Sequence, residues 1–510
     1  MKRQSITRRA VVGSLAATGL IGSLRGIPHA SAQASRFETP LAIPPLLSGE
    51  TLDNRRRYAL HVQPGVSEFL PGVKTPTIGV NGPYLGPTVQ MREGDDVEMV
   101  VTNGLREPTT LHWHGLHVPA AQDGGPHQVI PPGGTWSPRF RIKQGPSTCW
   151  YHSHLMGRTG EQVLRGLAGL IQIEGTSQAS LDLPSEYGVD DVPVVIQDRR
   201  FAADGSFAYI SSMADVMMGY RGDTILVNGT LSPYLTLRRR LTRLRILNGS
   251  NARFYNLGRK DGAEMTVIGV DGGMLDTPAR LRRLRLAPGE RAEVVIEAEA
   301  GGNVMLMGYP ISTGRGMGGM MMGGGEAPFP ILELRAGKLE TSPSILANRL
   351  AAQPAWFSAK ASRTRTFDLE MGMMGGGMGR GMGHGSGMRG GMAGAGQGHM
   401  MGINGRAMDL SRIDERVPLG AIEIWEVRNR TPIDHPFHIH DVQFRIIDRD
   451  GQPPRPEELG LKDTVVVEAG GVVRVMAEFA DFADPVRPYM YHCHILEHED
   501  AGMMGQFVVV

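Results

Sequence analysis

The stretch from Tyr491 to Met503, reading Tyr-His-Cys-His-Ile-Leu-Glu-His-Glu-Asp-Ala-Gly-Met, restricts the chain more than any other. Cys493 is followed by His498 five residues on and by Met503 five beyond that. A thiolate, an imidazole and a thioether form a soft donor set suited to copper, and a second imidazole would complete a blue-copper site with a weak axial methionine. The run before Cys493, from Val486 to Tyr491, reads as a strand, in which side chains alternate between faces. Cys493 then points one way while His492 and His494 both point the other, about 7 Å apart along the strand. One short segment is thereby expected to ligate metal on both of its faces. An electron reaching the cysteine sulfur would have a covalent path of a few bonds to metals held by the neighbouring histidines.

A single His-Cys-His also reads as a buried cysteine between two polar residues. Three further clusters decide against that: His112-Trp113-His114, Trp150-Tyr151-His152-Ser153-His154, and His435-Pro436-Phe437-His438-Ile439-His440. Four His-x-His pairs, one flanking a cysteine, are not a pattern that chance produces. Together HCHILEHEDAGMM, HPFHIH, HWHG and TCWYHSH resemble the laccase-like multicopper oxidases, and among them the bacterial cuprous oxidase (copper-efflux oxidase) branch. The similarity covers nearly the whole chain beyond its first 32 residues.

The resemblance implies a ligand set. His435, Cys493 and His498, with Met503 as weak axial ligand, match the mononuclear type 1 site. His112 and His438 match the type 2 ligands, and His114, His152, His154, His440, His492 and His494 match the type 3 pair, so four copper ions are implied. Met503 is favoured over Met504 by spacing alone. Asp123, eleven residues after His112, and Glu499, beside His498, occupy positions that resemble the family's acidic proton donors. Cys149 is expected to pack as a small buried residue. Single histidines at 61, 117 and 127 are not assigned to metal.

The first residues carry their own signal. Lys2, Arg3, Arg8 and Arg9 precede an apolar run from Ala10 to Leu24, then Ala30-Ser31-Ala32, a small-x-small cleavage site. Thr7-Arg8-Arg9-Ala10-Val11-Val12 resembles a twin-arginine export signal. The apolar run is shorter than the roughly 20 residues a membrane span needs, so no membrane anchor is expected after cleavage. Residues 1–32 are read as a signal peptide of a periplasmic or otherwise exported protein.

The 53 basic and 52 acidic residues give no electrostatic reason to expect nucleic acid as a partner. Sixty-nine glycines and 34 prolines favour turn-rich β structure. Asn81-Gly82 leads to Asn103, Asn228-Gly229 to Asn248 and Asn404-Gly405 to Asn429, three turn signals roughly 150 to 175 residues apart. The expected fold is all-β: three Greek-key β-sandwich domains over 33–180, 181–345 and 346–510, which the resemblance makes cupredoxin-like. Strands are predicted at Asp96–Val101, Leu241–Leu247, Glu293–Ile296 and Val472–Phe479. No histidine occurs between His154 and His384, so the middle domain is expected to serve as a structural link.

From 371 to 402 the composition shifts to Met and Gly, and a smaller cluster from Met305 to Gly325 includes Met317, Met320, Met321 and Met322. Such segments bury too little to offset their ordering entropy, while exposed thioethers select Cu(I). In the cuprous oxidase relatives an acid and a methionine just before HPFHIH hold substrate copper; here those positions are Thr431 and Ile433. Asp434, Glu370, Met371, Met373 and Met374 are the available substitutes. The expected enzyme is a monomer that oxidises Cu(I) one electron at a time and reduces O2 to water, serving copper tolerance. The alternative is a laccase or bilirubin-oxidase-like oxidase of small phenolic donors. Copper storage needs no such ligand set, and a structural envelope protein on this fold would show gaps in it.

Overall fold

The three turn signals fold into one hydrogen-bonded device used three times. In the computed structural model, which describes residues 37–175, 181–311, 327–340, 346–372 and 401–510, Asn81, Asn228 and Asn404 sit at φ of 56°, 50° and 53°. That left-handed backbone is one that Asn tolerates better than most residues. Each side chain reaches a neighbouring strand. Its Oδ1 accepts from the N–H of His61, Val195 or Asp368 at 2.7 Å, and its Nδ2 donates to the carbonyl two residues earlier, on Ala59, Pro193 or Thr366.

The second asparagine of each repeat closes a buried corner in the same way. Asn103, Asn248 and Asn429 each accept from the N–H two residues on, in Leu105, Ser250 and Thr431. Each donates to two carbonyls, those of Glu107 and Ile130, of Arg253 and Leu286, and of Ile433 and Val467. A buried amide satisfied on both ends pins the chain where it leaves a strand.

Among the described residues the strands form six sheets in three pairs, an all-β arrangement. In the first pair, Arg55–Leu70 runs parallel to Asp96–Asn103, and the facing sheet joins Thr88–Arg92, Ala168–Glu174, Ser147–His152 and His112–His114. Every sheet holds a parallel pair: Asp191–Arg199 with Leu241–Asn248 and Pro233–Arg239 with Phe329–Glu340 in the second pair of sheets, Arg363–Met371 with Ala421–Asn429 and Glu415–Val417 with Met504–Val509 in the third. The chain crosses between facing sheets, so strands distant in sequence run side by side. Helices are short: Thr159–Leu164, Met213–Met218 and Leu496–Asp500. The apolar cores follow the strand alternation. Val97, Met99 and Val101 point into one cluster, Leu244, Ile246, Val294 and Ile296 into another, and Trp425, Val427, Val473 and Val475 into a third with Cys493.

The predicted strands run as Asp96–Asn103, Leu241–Asn248, Arg291–Glu297 and Val472–Phe479. In Leu241–Asn248 every residue is buried, because its polar face meets the first pair of sheets. There Arg245 grips Asp191 at 2.7 and 2.8 Å, Arg243 pairs with Glu293, and Thr148 joins both Arg245 and Glu293. Of the 371–402 segment the described residues are its ends, where Met371 is the last residue of a strand and lies opposite Met401. Residues 1–32, Met373, Met374, Met317, Met320, Met321 and Met322 lie outside the described residues.

Replacing Asn248 by Ala should cost at least about 2 kcal/mol, because the N–H of Ser250 and the carbonyls of Arg253 and Leu286 lose their buried partner. Denaturant unfolding of the purified variant measures it, and a change within a few tenths of a kcal/mol would contradict the corner's role.

Candidate metal centres

The strand register carries the histidines to one place. His112 pairs across the sheet with His152, and His438 with His492. The two motifs His112–His114 and His438–His440 interleave: His112 stacks on His440 at 3.9 Å between ring centres, and His114 on His438 at 3.7 Å. Eight imidazoles thus line one crevice between the first and third pairs of sheets, all buried.

Within it the rings sort by their nitrogens. The Nε2 atoms of His154, His440 and His492 lie 3.2 Å from one another, a trigonal set. His114 Nδ1 lies 3.3 Å from His494 Nε2, and His152 completes that group. His112 and His438 form a third group with His114. Oxygen acceptors hold the outer nitrogens. His112 Nδ1–H donates to the Asp123 carbonyl (2.9 Å), His152 Nδ1–H to the Ser153 carbonyl (2.7 Å) and His438 Nδ1–H to the Asp463 carbonyl (2.8 Å). The Nε2 atoms of His112, His152 and His438 are buried without any partner. A buried lone pair with no donor is costly, and here several converge, which is the donor geometry a cation requires.

Charge points the same way. Burial and, for most of them, the neighbouring imidazoles hold these eight histidines, and with them His435 and His498 beside Cys493, below the ordinary range, His492 and His498 at about 4, so each is neutral near pH 7 and offers a lone pair. Asp123 and Glu499 are the carboxylates beside the cluster. Asp123 Oδ2 is 2.8 Å from His440 Nδ1, while Glu499 lies 3.2 Å from His154 Nδ1 and 3.3 Å from His492 Nδ1. Burial pushes both carboxyls well above the usual range.

On the other face of the Cys493 strand, His435 Nδ1 is 3.2 Å and His498 Nδ1 3.6 Å from the Cys493 sulfur, and the two ring nitrogens are 3.3 Å apart. Met503 is buried in the same core, and its carbonyl accepts from the Cys493 N–H at 3.0 Å. Met504 lies opposite His492 and so belongs to the strand's other face.

Thr431 has a role that sequence reading missed. Its hydroxyl accepts from His435 Nε2–H at 2.7 Å while lying 2.8 Å from Asn429 Oδ1, which leaves His435 Nδ1 unprotonated toward the sulfur. The third repeat's corner asparagine therefore buttresses this site. Asp434, the nearest candidate substitute ligand, is already engaged on both oxygens: one accepts from Arg285 at 2.5 Å and the other from the Ala469 N–H at 2.8 Å. Glu370 accepts from the Gly405 N–H, and Met371 packs half-buried on the third core. Cys149 is a buried free thiol. His117 lies between Asp441 (2.7 Å) and Asp481 (3.2 Å), and His127 bonds Gln506. Asp463 gave no sequence signal of its own; only the fold brings it to His114.

Models of the multicopper oxidase family match residues 61–178, 209–316 and 387–510. The chain is 34% identical over 458 residues to the multicopper oxidase mco of Staphylococcus haemolyticus, spanning 89% of this chain and 88% of that one. It is 35% identical over 509 residues to the cell division protein FtsP of Escherichia coli, 99% of each chain. The solved structure of a laccase-like multi-copper oxidase, CueO from Ochrobactrum sp., matches with a TM-score of 0.80 at 34% identity, over 92% of this chain and 100% of that one.

Two outcomes are expected. Thr431→Val, near-isosteric but without the hydroxyl, should weaken copper retention at the Cys493 site about 10-fold and alter its blue absorbance, read by chelator titration. An unchanged spectrum and titration would remove Thr431 from the site. Stripped of metal, the protein should lose stability as pH falls from about 6.5 toward about 4. Over that window the unfolded chain takes up protons that the buried imidazoles refuse. Carboxyls that burial holds high (Asp123, Glu290, Asp441, Glu457, Asp463, Glu497, Glu499 and Asp500) and the raised His117 oppose this loss, while carboxylates held low by arginines, Glu293 and Glu458 among them, add to it. Melting temperatures across the window check this, and a rise on acidification would contradict it.

Proposed function

The chain belongs to the multicopper oxidase family, and from that premise we propose an exported enzyme that oxidises Cu(I) and reduces O2 to water, serving copper tolerance. The observation that carries the reading is the convergence of unpartnered, neutral imidazole nitrogens on one face of a strand whose other face presents Cys493 with two more imidazoles. Copper, when bound, supplies one-electron redox chemistry and O2 reduction.

In this proposal His435, Cys493, His498 and Met503 form the type 1 site, His112 and His438 the type 2 site, and His114, His152, His154, His440, His492 and His494 the type 3 pair. Cys493 lies between His492 and His494 in the chain, which gives electrons a bonded route. Asp123 and Glu499 hold protons at the backs of His440, His154 and His492, where a reaction that makes water consumes them. Residues 1–32 as a twin-arginine signal, the domains 33–180, 181–345 and 346–510, and a monomeric state belong to the same reading. A purely structural role, such as a protein named for cell division suggests, would leave the buried lone pairs facing nothing.

Cu(I) is favoured as donor by the thioether-rich 371–402 segment, whose ends are held together where Met371 faces Met401. Phenolic donors are the second reading. It is favoured by Thr431 and Asp434, whose hydrogen bonds leave no acidic ligand for substrate copper before His435, and by the likeness to a laccase-like enzyme.

O2 uptake by the copper-loaded protein, intact and with residues 373–400 replaced by a short turn, decides between them. Loss of Cu(I) turnover with phenol turnover kept or raised is expected. Unchanged Cu(I) turnover would sink the segment's role, and phenol oxidation far above Cu(I) oxidation in the intact protein would establish the second reading.

A further inference from the structure

The middle region contributes no histidine, yet one of its side chains reaches the crevice. Arg291, at the start of strand Arg291–Glu297, is fully buried and all five of its N–H groups are used. Nε donates to the Thr148 carbonyl (2.9 Å), Nη1 to the Gly289 carbonyl (3.1 Å) and Nη2 to the Asp271 carbonyl (3.0 Å). The remaining two form a fork onto Asp463, Nη1 to Oδ1 at 2.8 Å and Nη2 to Oδ2 at 2.6 Å. A Cβ at Gly115 would stand 2.6 Å from Arg291 Nη2 and 2.8 Å from Asp463 Oδ2, so glycine there leaves room for the pair.

Asp463 in turn serves two imidazoles. Its Oδ1 is 3.0 Å from His114 Nε2, and its backbone carbonyl accepts from His438 Nδ1–H at 2.8 Å. His114 Nδ1 then faces His494 Nε2 at 3.3 Å. A neutral imidazole carries one N–H, so taking up the Nε2–H at Asp463 places the lone pair at Nδ1. The opposite tautomer would aim an N–H into the crevice.

We propose that Arg291 and Asp463 are positioning residues for the copper cluster: Arg291 fixes the angle of Asp463, and Asp463 fixes the tautomer and orientation of His114. The inference rests on the assignment of His114 to the type 3 pair. The histidine-free middle region then acts on the cluster directly as well as joining the two ends of the chain. An arginine is required because its planar fork meets both carboxylate oxygens and three carbonyls at once, which an ammonium cannot do.

The test compares the full-length, copper-loaded chain with Arg291→Met, Arg291→Lys and Asp463→Asn. Blue absorbance from the Cys493 site serves as the folding control. The near-ultraviolet band and paramagnetic signal of the other coppers, together with copper content under graded chelator, are the readouts. Arg291→Met and Asp463→Asn are expected to stay blue, lose the band of the coupled pair, and release cluster copper at about 10- to 100-fold less chelator. Arg291→Lys should recover only part of this. Wild-type behaviour of all three variants would overturn the proposal, and so would full recovery by Lys, which would mean that Arg291 only neutralises a buried charge. If Arg291→Met gives no blue protein, the Lys and Asn variants decide. A wild-type protein without the coupled-pair band would overturn the type 3 assignment itself, and this inference with it.

Discussion

Burying ten uncharged imidazoles with their lone pairs turned toward one another is the constraint that the rest of this structure answers. In water each nitrogen would be hydrated; here the Nε2 atoms of His112, His152 and His438 have no partner at all. Such an arrangement opposes folding unless a cation offsets it, and it persists because the outer nitrogens are tied to fixed oxygens. Carbonyls of Asp123, Ser153, Asp463 and Cys493 do this for one subset, and the carboxylates of Asp123 and Asp463 for His440 and His114. Those oxygens in turn need rigid supports. The strand pairings His112 with His152 and His438 with His492 supply one, and the Arg291 fork supplies another.

The supports are made from a repeated part. Asn103, Asn248 and Asn429 close equivalent corners with the same three hydrogen bonds, and the third corner meets a metal-binding motif. There Thr431, whose N–H the asparagine accepts, turns its hydroxyl to His435. A feature that stabilises three sandwiches has at one of them become part of a site. The middle repeat shows the complementary case, keeping the corner and carrying no histidine while supplying an arginine.

Much of this was legible in the chain. The side-chain period of a strand placed Cys493 against His492 and His494, and the turn asparagines marked the three repeats. What escaped reading depended on distance in sequence. Asp463 is one carboxylate among many until the fold sets it 3.0 Å from His114, 349 residues away. Thr431 reads as a lost substrate ligand until its hydroxyl is seen on His435. Asp434 reads as an unpaired carboxylate until Arg285 is found on it. The all-buried strand Leu241–Asn248 hid its second buried face because Arg243 and Arg245 look solvent-facing without their acidic partners.

The trigonal set of His154, His440 and His492 joins residues 286 and 338 positions apart. Contacts of such long range form late, since the entropy of closing the intervening chain must be met before they return anything. Each sandwich can close its own asparagine corners first, but the crevice exists only once the two ends have docked. A cation that binds the docked state alone stabilises it by mass action. Metal occupancy of a preparation therefore counts the molecules that have completed this last docking step, a quantity that a turnover rate averaged over all chains conceals.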